Sequence, residues 1–255
     1  MVARRGKAVR AAGRWFNCAL PPSERRGLKL SIIIPVLNEA ANISAALVAL
    51  QPLRERGAEV IAVDGGSSDD TFTLAQKLCD HVITAPRGRA NQQNAGARIA
   101  KGEALLFLHS DTRLPDNVDA LVQGALTTEK SAWGRFDVKL GIAGEPPHAM
   151  FRVIAALMNF RSRMTGVATG DQCIFVRKAV FDAVGGFPQI PLMEDIALSK
   201  ALRRVSAPAC LTERVTTSTR RWQTRGVWRT VLLMWWLRLA YWLGVSPARL
   251  AAWYR

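Results

Sequence analysis

The amino-acid sequence predicts an α/β fold: a single Rossmann-like domain with a mostly parallel central sheet, helices on both faces, and a C-terminal aromatic-rich helical segment. Three observations predict it. Short, continuous, β-branched apolar runs recur through the first half of the chain, as expected of strands buried on both faces. Segments of helical period separate them, the alternation that builds parallel sheets. The runs stop at polar clusters, and in open α/β sheets ligands bind beyond the carboxyl ends of the strands.

Taken in order, Leu30 to Val36 reads as a buried strand stopped by Pro35, and Asn38-Glu39 opens a helix carried by Ile43, Leu47 and Leu50. Gly57 marks the exit to a second strand, Val60 to Val63, which ends in Asp64-Gly65-Gly66-Ser67-Ser68-Asp69-Asp70-Thr71 before a helix through Phe72, Leu74 and Leu78. Val82-Ile83 is a short third strand, and Arg87-Gly88-Arg89 precedes a helix from about Ala90 to Ala100. The run Ala104 to Leu108 is a fourth strand that stops at His109-Ser110-Asp111. Farther on, Gly170-Asp171-Gln172 leads into apolar Cys173 to Val176, Gly185-Gly186 makes a turn, and Met193-Glu194-Asp195 begins a helix through Ile196, Leu198 and Leu202. Val227 to Val245, dense in Trp and Leu but broken by Arg229 and Arg238, is unsuited to spanning a bilayer. It is either a membrane-surface helix, its arginines reaching lipid phosphates, or a helix packed on the domain with its aromatics inward.

At 255 residues, 49% apolar and 22% charged, the chain suits one globular domain and excludes disordered and collagen-like classes. The expected division is a basic arm over 1–28, a catalytic domain over 29–222 and an amphipathic extension over 223–255. The net charge of +15 is uneven: residues 1–30 hold eight Lys and Arg against one acid, and 201–255 hold ten against one, while 31–200 are nearly neutral at seventeen against eighteen. Basic ends suit an anionic surface such as phospholipid headgroups, or simply a solvated basic protein. Four scattered cysteines without CxxC or zinc spacing read as reduced thiols. With no apolar leader before Pro21-Pro22, the expected location is cytoplasmic, peripheral on the inner membrane face where the basic ends engage lipid.

Three acidic clusters carry the chemistry. Asp111, leaving a buried strand beside His109, has the hard oxygen donor that Mg²⁺ or Mn²⁺ needs to neutralise a diphosphate, though turn acids are common there. Asp64 can accept hydrogen bonds from a base or ribose, with Gly65 allowing close backbone approach; Asp69 and Asp70 are expected to cap the following helix. Glu194-Asp195 is the acid/base pair, with Asp195 the base that deprotonates an acceptor hydroxyl; helix capping would account for only one of the two. Arg220-Arg221-Trp222 offers guanidinium forks to pyrophosphate on a segment able to close as a lid, and Arg89 offers the same from its glycine-containing loop.

Together with Asn94-Ala95-Gly96, the ordered set Ile34-Pro35-Val36-Leu37-Asn38-Glu39 and Val63-Asp64-Gly65-Gly66-Ser67-Ser68-Asp69-Asp70-Thr71 resembles family 2 glycosyltransferases of the GT-A fold. The bacterial subfamily associated with radical-SAM and selenodomain proteins is the nearest match. The resemblance covers about residues 30–222. It implies that Pro35, Asn38 and Glu39 line a nucleotide pocket with Asp64 facing the base. His109-Ser110-Asp111 falls at the family's Asp-x-Asp, so Asp111 matches the metal-binding acid and His109 replaces the first. Gly170-Asp171-Gln172 looks like the acceptor-side loop, and Glu194-Asp195 like the Glu-Asp pair whose Asp is the base. Arg221-Trp222 is similar to the end of the Gln-x-x-Arg-Trp motif, but Ser218 stands at the Gln position, so processive synthesis is not implied. The implied donor is a UDP- or GDP-sugar and the acceptor an unidentified small molecule or lipid.

Two other classes compete. A sugar-phosphate nucleotidyltransferase shares the layout, but the glycine-rich loop with Arg and Pro-Lys expected near the first strand is absent. A non-enzymatic lipid- or nucleic-acid-binding module would use the basic ends, yet no nucleic-acid motif is recognisable, so no specific nucleic-acid partner is expected.

Overall fold

The computed structural model describes residues 27–128, 130–141, 148–220 and 226–254. The basic arm assigned to 1–28 therefore lies almost wholly outside the described residues, as do Cys18, Arg221 and Trp222. The first half follows the expected alternation: β1 (Leu30–Val36), α1 (Ala40–Val48), α2 (Gln51–Glu55), β2 (Glu59–Asp64), α3 (Thr71–Gln76), β3 (His81–Thr84), α4 (Arg89–Ile99) and β4 (Ala104–Phe107). The second half adds β5 (Thr112–Arg113), α5 (Val118–Thr127), β6 (Trp133–Leu140), α6 (Ala149–Thr165), a 3₁₀ turn at Gly170–Gln172, and β7 (Phe175–Arg177). It ends with α7 (Lys178–Ala183), α8 (Glu194–Leu202), β8 (Ala209–Thr217), α9 (Val227–Trp242) and α10 (Pro247–Tyr254).

The strands form one mostly parallel sheet in the order β3-β2-β1-β4-β7-β6-β8-β5. β1, β2, β3 and β4 run parallel, as do β6 and β8; β7 is antiparallel to both β4 and β6, and β5 is antiparallel to β8. Alternate residues of β1 feed two cores. Ile32, Ile34 and Val36 pack with α1, α5 and α6, whereas Ile33 packs with Ile61, Phe107 and α4, α7 and α8 on the other face. Helices thus cover both faces, and the central strands are buried throughout.

Side-chain amides lock helices to the sheet where no ladder can. Asn94 of α4 takes the Phe187 N–H (2.9 Å) and donates to the Phe187 carbonyl (2.8 Å), which seats Phe187 edge-on against Phe107. Asn159 of α6 does the same for Val138 of β6, at 2.9 and 3.0 Å. Gly96 lets α4 lie close on β1: a Cβ there would stand 2.5 Å from Ile33 Cγ2. The Asn-Ala-Gly segment is therefore a packing device.

The helix attributed to Val227–Val245 has two sides. Leu237 and Ala240 join Leu250, Val167, Met193 and Ile196 in a third apolar cluster, so the helix is docked on the domain. Its tryptophans are not turned inward, however: Trp228, Trp235, Trp236 and Trp242 are exposed, and only Tyr241 among its aromatics packs against that cluster. Arg229 is exposed, while Arg238 is half-buried and faces the domain rather than reaching outward. α6 shows the same inversion, with Asn159 and Ser162 buried and Val153, Leu157, Phe160 and Met164 exposed.

Because an added side chain at Gly96 has nowhere to go, Gly96→Val should cost about 1–3 kcal/mol. Urea denaturation of the full chain would read this as a lower midpoint with an unchanged slope.

Candidate active site

The site lies at the carboxyl ends of β2, β1 and β4, which are neighbours in the sheet. The loops after β1 and β2 are sewn together by polar contacts. Asn38, in the left-handed region at φ 52°, accepts the Ser68 N–H on Oδ1 (2.9 Å) and donates its own N–H to Ser67 Oγ (2.9 Å). The Glu39 N–H donates to Thr71 Oγ1 at 2.8 Å. Helix α1 accordingly begins at Ala40, two residues after the expected Asn38, because Asn38 is spent on the loop contact.

Asp69 accepts N–H bonds from the first residues of two helices, Ala40 of α1 and Thr71 of α3, each at 3.1 Å. The Thr71 hydroxyl, above all, and these amides hold its carboxyl below the usual range. Asp69 thus caps as expected. Asp70 occupies the N-cap position of α3 but makes no side-chain cap bond, since Asp69 has taken that amide.

Asp64 is buried, and Oδ2 receives the Gly66 and Ser67 N–H groups, both at 2.9 Å, while the Ser67 hydroxyl donates to Oδ1. Its first task is therefore to shape the loop after β2. Gly65 is buried against Gln92, whose amide donates to the carbonyls of Val36 and Val63 at 2.8 Å each and so ties the ends of β1 and β2 to α4. Pro35 is half-buried on β1 opposite Val63. Glu39 Oε2 lies 3.6 Å from Arg220 Nη2, which brings the segment after β8 back to this rim.

The other side of the site is assembled by β7. Its antiparallel run beside β4 delivers Gly170–Gln172 to the place where β4 releases His109, Ser110 and Asp111. Gly170 has no room for a Cβ, which would meet His109 Nε2 at 2.6 Å, and His109 Nδ1 is 3.5 Å from Asp171 Oδ1. The Gly170 N–H donates to Asp195 Oδ2 (2.9 Å), and Asp195 Oδ1 accepts its neighbour's N–H, that of Ile196 (2.7 Å). Gln92's neighbour Gln93, Phe107, His109, Gly170, Glu194 and Asp195 line a single pocket. Gln172 is fully buried, and its Oε1 takes the Thr169 N–H at 3.3 Å, which holds the turn.

Burial first, and the adjacent Asp195 carboxylate second, push Glu194 above the usual carboxylate range, partly offset by Arg89 and His109. Arg89 sits exposed at the rim of this group. Its surroundings disfavour its charge, but Glu194, Asp171, Tyr254 and Asp195 outweigh them and raise its pKa. Two arginines that the sequence reading did not place in the site also feel Asp195. Arg161 of α6 is pushed down to about 10 by burial and then by Arg238, against the pull of Asp195, and Arg238 of α9 is lowered by burial against Asp195 and Asp171.

Among the described residues no three His, Cys, Asp or Glu side chains cluster as a metal cage. Asp111 is exposed, and its carboxylate makes no hydrogen bond or ion pair with another described residue. A single free carboxylate fits a hard cation held chiefly by diphosphate oxygens and water, the usual way Mg²⁺ is bound. It does not fit a metal held by protein alone.

Residues 31–185 match the profile described as "Glycosyl transferase family 2". A "PGL/p-HBAD biosynthesis glycosyltransferase" from Mycobacterium bovis (strain BCG / Pasteur 1173P2) is 37% identical over 92 residues, 33% of this chain and 36% of that protein. The chain thus spans about a third of that curated relative. The "Mannosyltransferase PcManGT from Pyrobaculum calidifontis in complex with GDP-Man and Mn2+" has a TM-score of 0.60 at 18% identity, covering 89% of this chain and 64% of that one. "S. aureus TarS 1-349 in complex with UDP" has a TM-score of 0.60 at 21% identity, covering 75% and 60%. Both likenesses are of fold, and that fold is GT-A.

A carboxyl raised by burial favours folding only while it is neutral, so Glu194 adds stability below its unfolded pKa and loses it as pH rises through its folded one. Glu194→Gln should therefore melt higher than the parent at pH 8, by about 2–4 °C for each kcal/mol relieved, with the gap closing toward pH 4. Differential scanning calorimetry across that range checks the sign.

Proposed function

The chain belongs to glycosyl transferase family 2, and from that premise we propose that it is an inverting glycosyltransferase, moving a sugar from a UDP- or GDP-sugar to an acceptor hydroxyl with a divalent cation. The observation that carries this reading is the hydrogen bond from the Gly170 N–H to Asp195, which holds a carboxylate in one pocket with His109. Bound at Asp111, Mg²⁺ or Mn²⁺ would supply charge neutralisation to the departing diphosphate. The relatives support the donor class, since the neighbouring folds are described with UDP or with GDP-Man and Mn²⁺.

Asp195 takes the acceptor proton as the hydroxyl oxygen bonds to the anomeric carbon and the bond from that carbon to the diphosphate oxygen breaks on the opposite side. Two of its lone pairs are committed to backbone amides, which fixes its direction and leaves others for the acceptor. Glu194, biased toward its neutral form, avoids placing a second full charge beside the base. Asn38, Glu39, Asp64 and Gly65 shape the nucleotide side, Arg89 and Arg221-Trp222 serve the diphosphate, and Gly170 and Asp171 serve the acceptor. Within the family we assign the chain to the subfamily associated with radical-SAM and selenodomain proteins, on the motif set given above.

Peripheral attachment to an anionic membrane, from the cytoplasmic face, completes the proposal. No helix among the described residues is long and apolar enough to cross a bilayer. The exposed apolar faces of α6 and α9, with Trp228 at 71% and Trp242 at 75% exposure, suit the headgroup boundary instead.

Asp195→Asn should lower transfer by about 10²- to 10⁴-fold while a UDP- or GDP-sugar with Mn²⁺ still raises the melting temperature. Lost donor binding with normal turnover would count against the assignment. Replacing Trp228, Trp235 and Trp242 together by Ser should weaken sedimentation with phosphatidylglycerol vesicles by about tenfold or more; equal sedimentation would remove the membrane from the proposal.

A further inference from the structure

We propose that Gln93 is a specificity-determining residue, its side-chain amide holding one hydroxyl of the sugar that is transferred. This rests on the reading of the chain as a glycosyltransferase with Asp195 as the base. Gln93 lies on α4, is only 4% exposed, and lines the same pocket as Glu194 and Asp195. Its Oε1 is buried without a hydrogen-bond partner, and no described residue bonds the rest of its amide.

Its neighbours show that the fold does supply partners for amides on α4. Gln92 donates to the Val36 and Val63 carbonyls, and Asn94 exchanges two hydrogen bonds with the Phe187 backbone. Gln93, between them, is the amide without structural work. Leaving it dry is unfavourable, since it gives up its bonds to water and gains none. Other described residues also hold a buried atom without a partner, but none of them lines the pocket. Arg135, Gln172 and Arg177, moreover, use another atom of the same side chain in a hydrogen bond. Among the described residues, Gln93 alone combines an unused buried amide with a place on the pocket wall.

The surroundings select the ligand group. Phe107, Ile174 and Phe187 form the apolar part of the wall, Glu194 and Asp195 add carboxyls, and among the described residues no Arg or Lys lines it. A phosphate is therefore disfavoured there. A sugar ring suits it, with C–H faces for the apolar side chains and hydroxyls at its edge for a few placed polar groups. In the proposed reaction the anomeric carbon stands between Asp195 and the diphosphate, which the loops after β1 and β2 flank. Gln93 adjoins the residue that ties the ends of those strands and shares the pocket of Asp195, so the ring built on that carbon falls beside it. The terminal amide torsion is broad and two-fold, so a half-turn presents either the oxygen or the NH₂ group to a hydroxyl, which can both donate and accept.

Calorimetric titration of the full chain with Mn²⁺ tests the idea by comparing a nucleotide sugar with its bare nucleotide. UDP, UDP-glucose, UDP-N-acetylglucosamine, GDP and GDP-mannose are titrated, and the tightest-binding nucleotide sugar is carried forward. Its affinity divided by that of its bare nucleotide gives the gain due to the sugar. In Gln93→Met, of similar length but without the amide, that gain should fall by about five- to tenfold while bare-nucleotide affinity stays the same. Monodeoxy analogues of the donor close the cycle: loss of one particular hydroxyl should weaken binding to the parent by about the same factor and leave binding to Gln93→Met unchanged. Melting curves establish folding, and methionine in place of an unpartnered amide should melt no lower than the parent. If Gln93→Met does not fold, Gln93→Leu takes its place; failure of both marks the amide as structural and overturns the proposal. So does an equal gain in parent and variant, no gain in the parent, a parallel loss of bare-nucleotide affinity, or a deoxy series that fails to distinguish the two proteins. Failure of the transferase reading would appear separately, as a parent protein that binds neither UDP nor GDP with Mn²⁺.

Discussion

The antiparallel pairing of β7 with β4 is the constraint on which the site depends. Had β7 joined the sheet parallel, like β1 and β2, the residues preceding it would sit at the opposite edge. Reversed, with Leu105 across from Val176 and Leu106 across from Phe175, it brings Gly170 and Asp171 to the end of β4 where His109 and Asp111 emerge. Helix α8 then needs only to dock beside that turn for Asp195 to take the Gly170 N–H. One reversed strand thus gives the site two sides, with the loops after β1 and β2 on one flank and the Gly170–Gln172 turn with α8 on the other.

The parts of the fold legible in the sequence were those where burial leaves no choice. β1, β2 and β4 are enclosed on both faces and read as unbroken apolar runs, and their terminal polar clusters mark the site directly. β6 and β8 were not legible. β6 carries Arg135, a fully buried charge made tolerable by Asp137 and the Asn159 carbonyl, and β8 is a polar run with Glu213 and Arg214 in its middle. α6 misleads in the same way, because its buried side includes Asn159 and Ser162 and its outer side Phe160 and Met164. Local pattern cannot reveal a polar residue whose partner lies on another element.

The site shows the same division. Asp64, Asp111, Glu194 and Asp195 were visible as acids placed after strands or at a helix start, and three-dimensional pairing adds what each is doing. Asp64 shapes its loop, Asp69 anchors two helices, and Gln172 closes a turn. Arg238, by contrast, reads in the sequence as an interruption of an apolar helix. Its setting emerges only when α9 is seen to pack over Val167 and Met193 with Arg238 on the inner side. Electrostatic neighbours from distant segments carry no local signature.

The docking of β8 inside the sheet, between β6 and β5, bears on how far ancestry and workmanship coincide. The family match covers residues 31–185, ahead of Glu194, Asp195, β8 and the two closing helices. A fragment trimmed to that boundary would leave one side of β6 as a raw seam open to self-association, and the Gly170 N–H would lose the Asp195 carboxylate that accepts it. The segment beyond residue 185 thus completes both the sheet and the pocket, and a boundary drawn from likeness alone would cut through one folded unit.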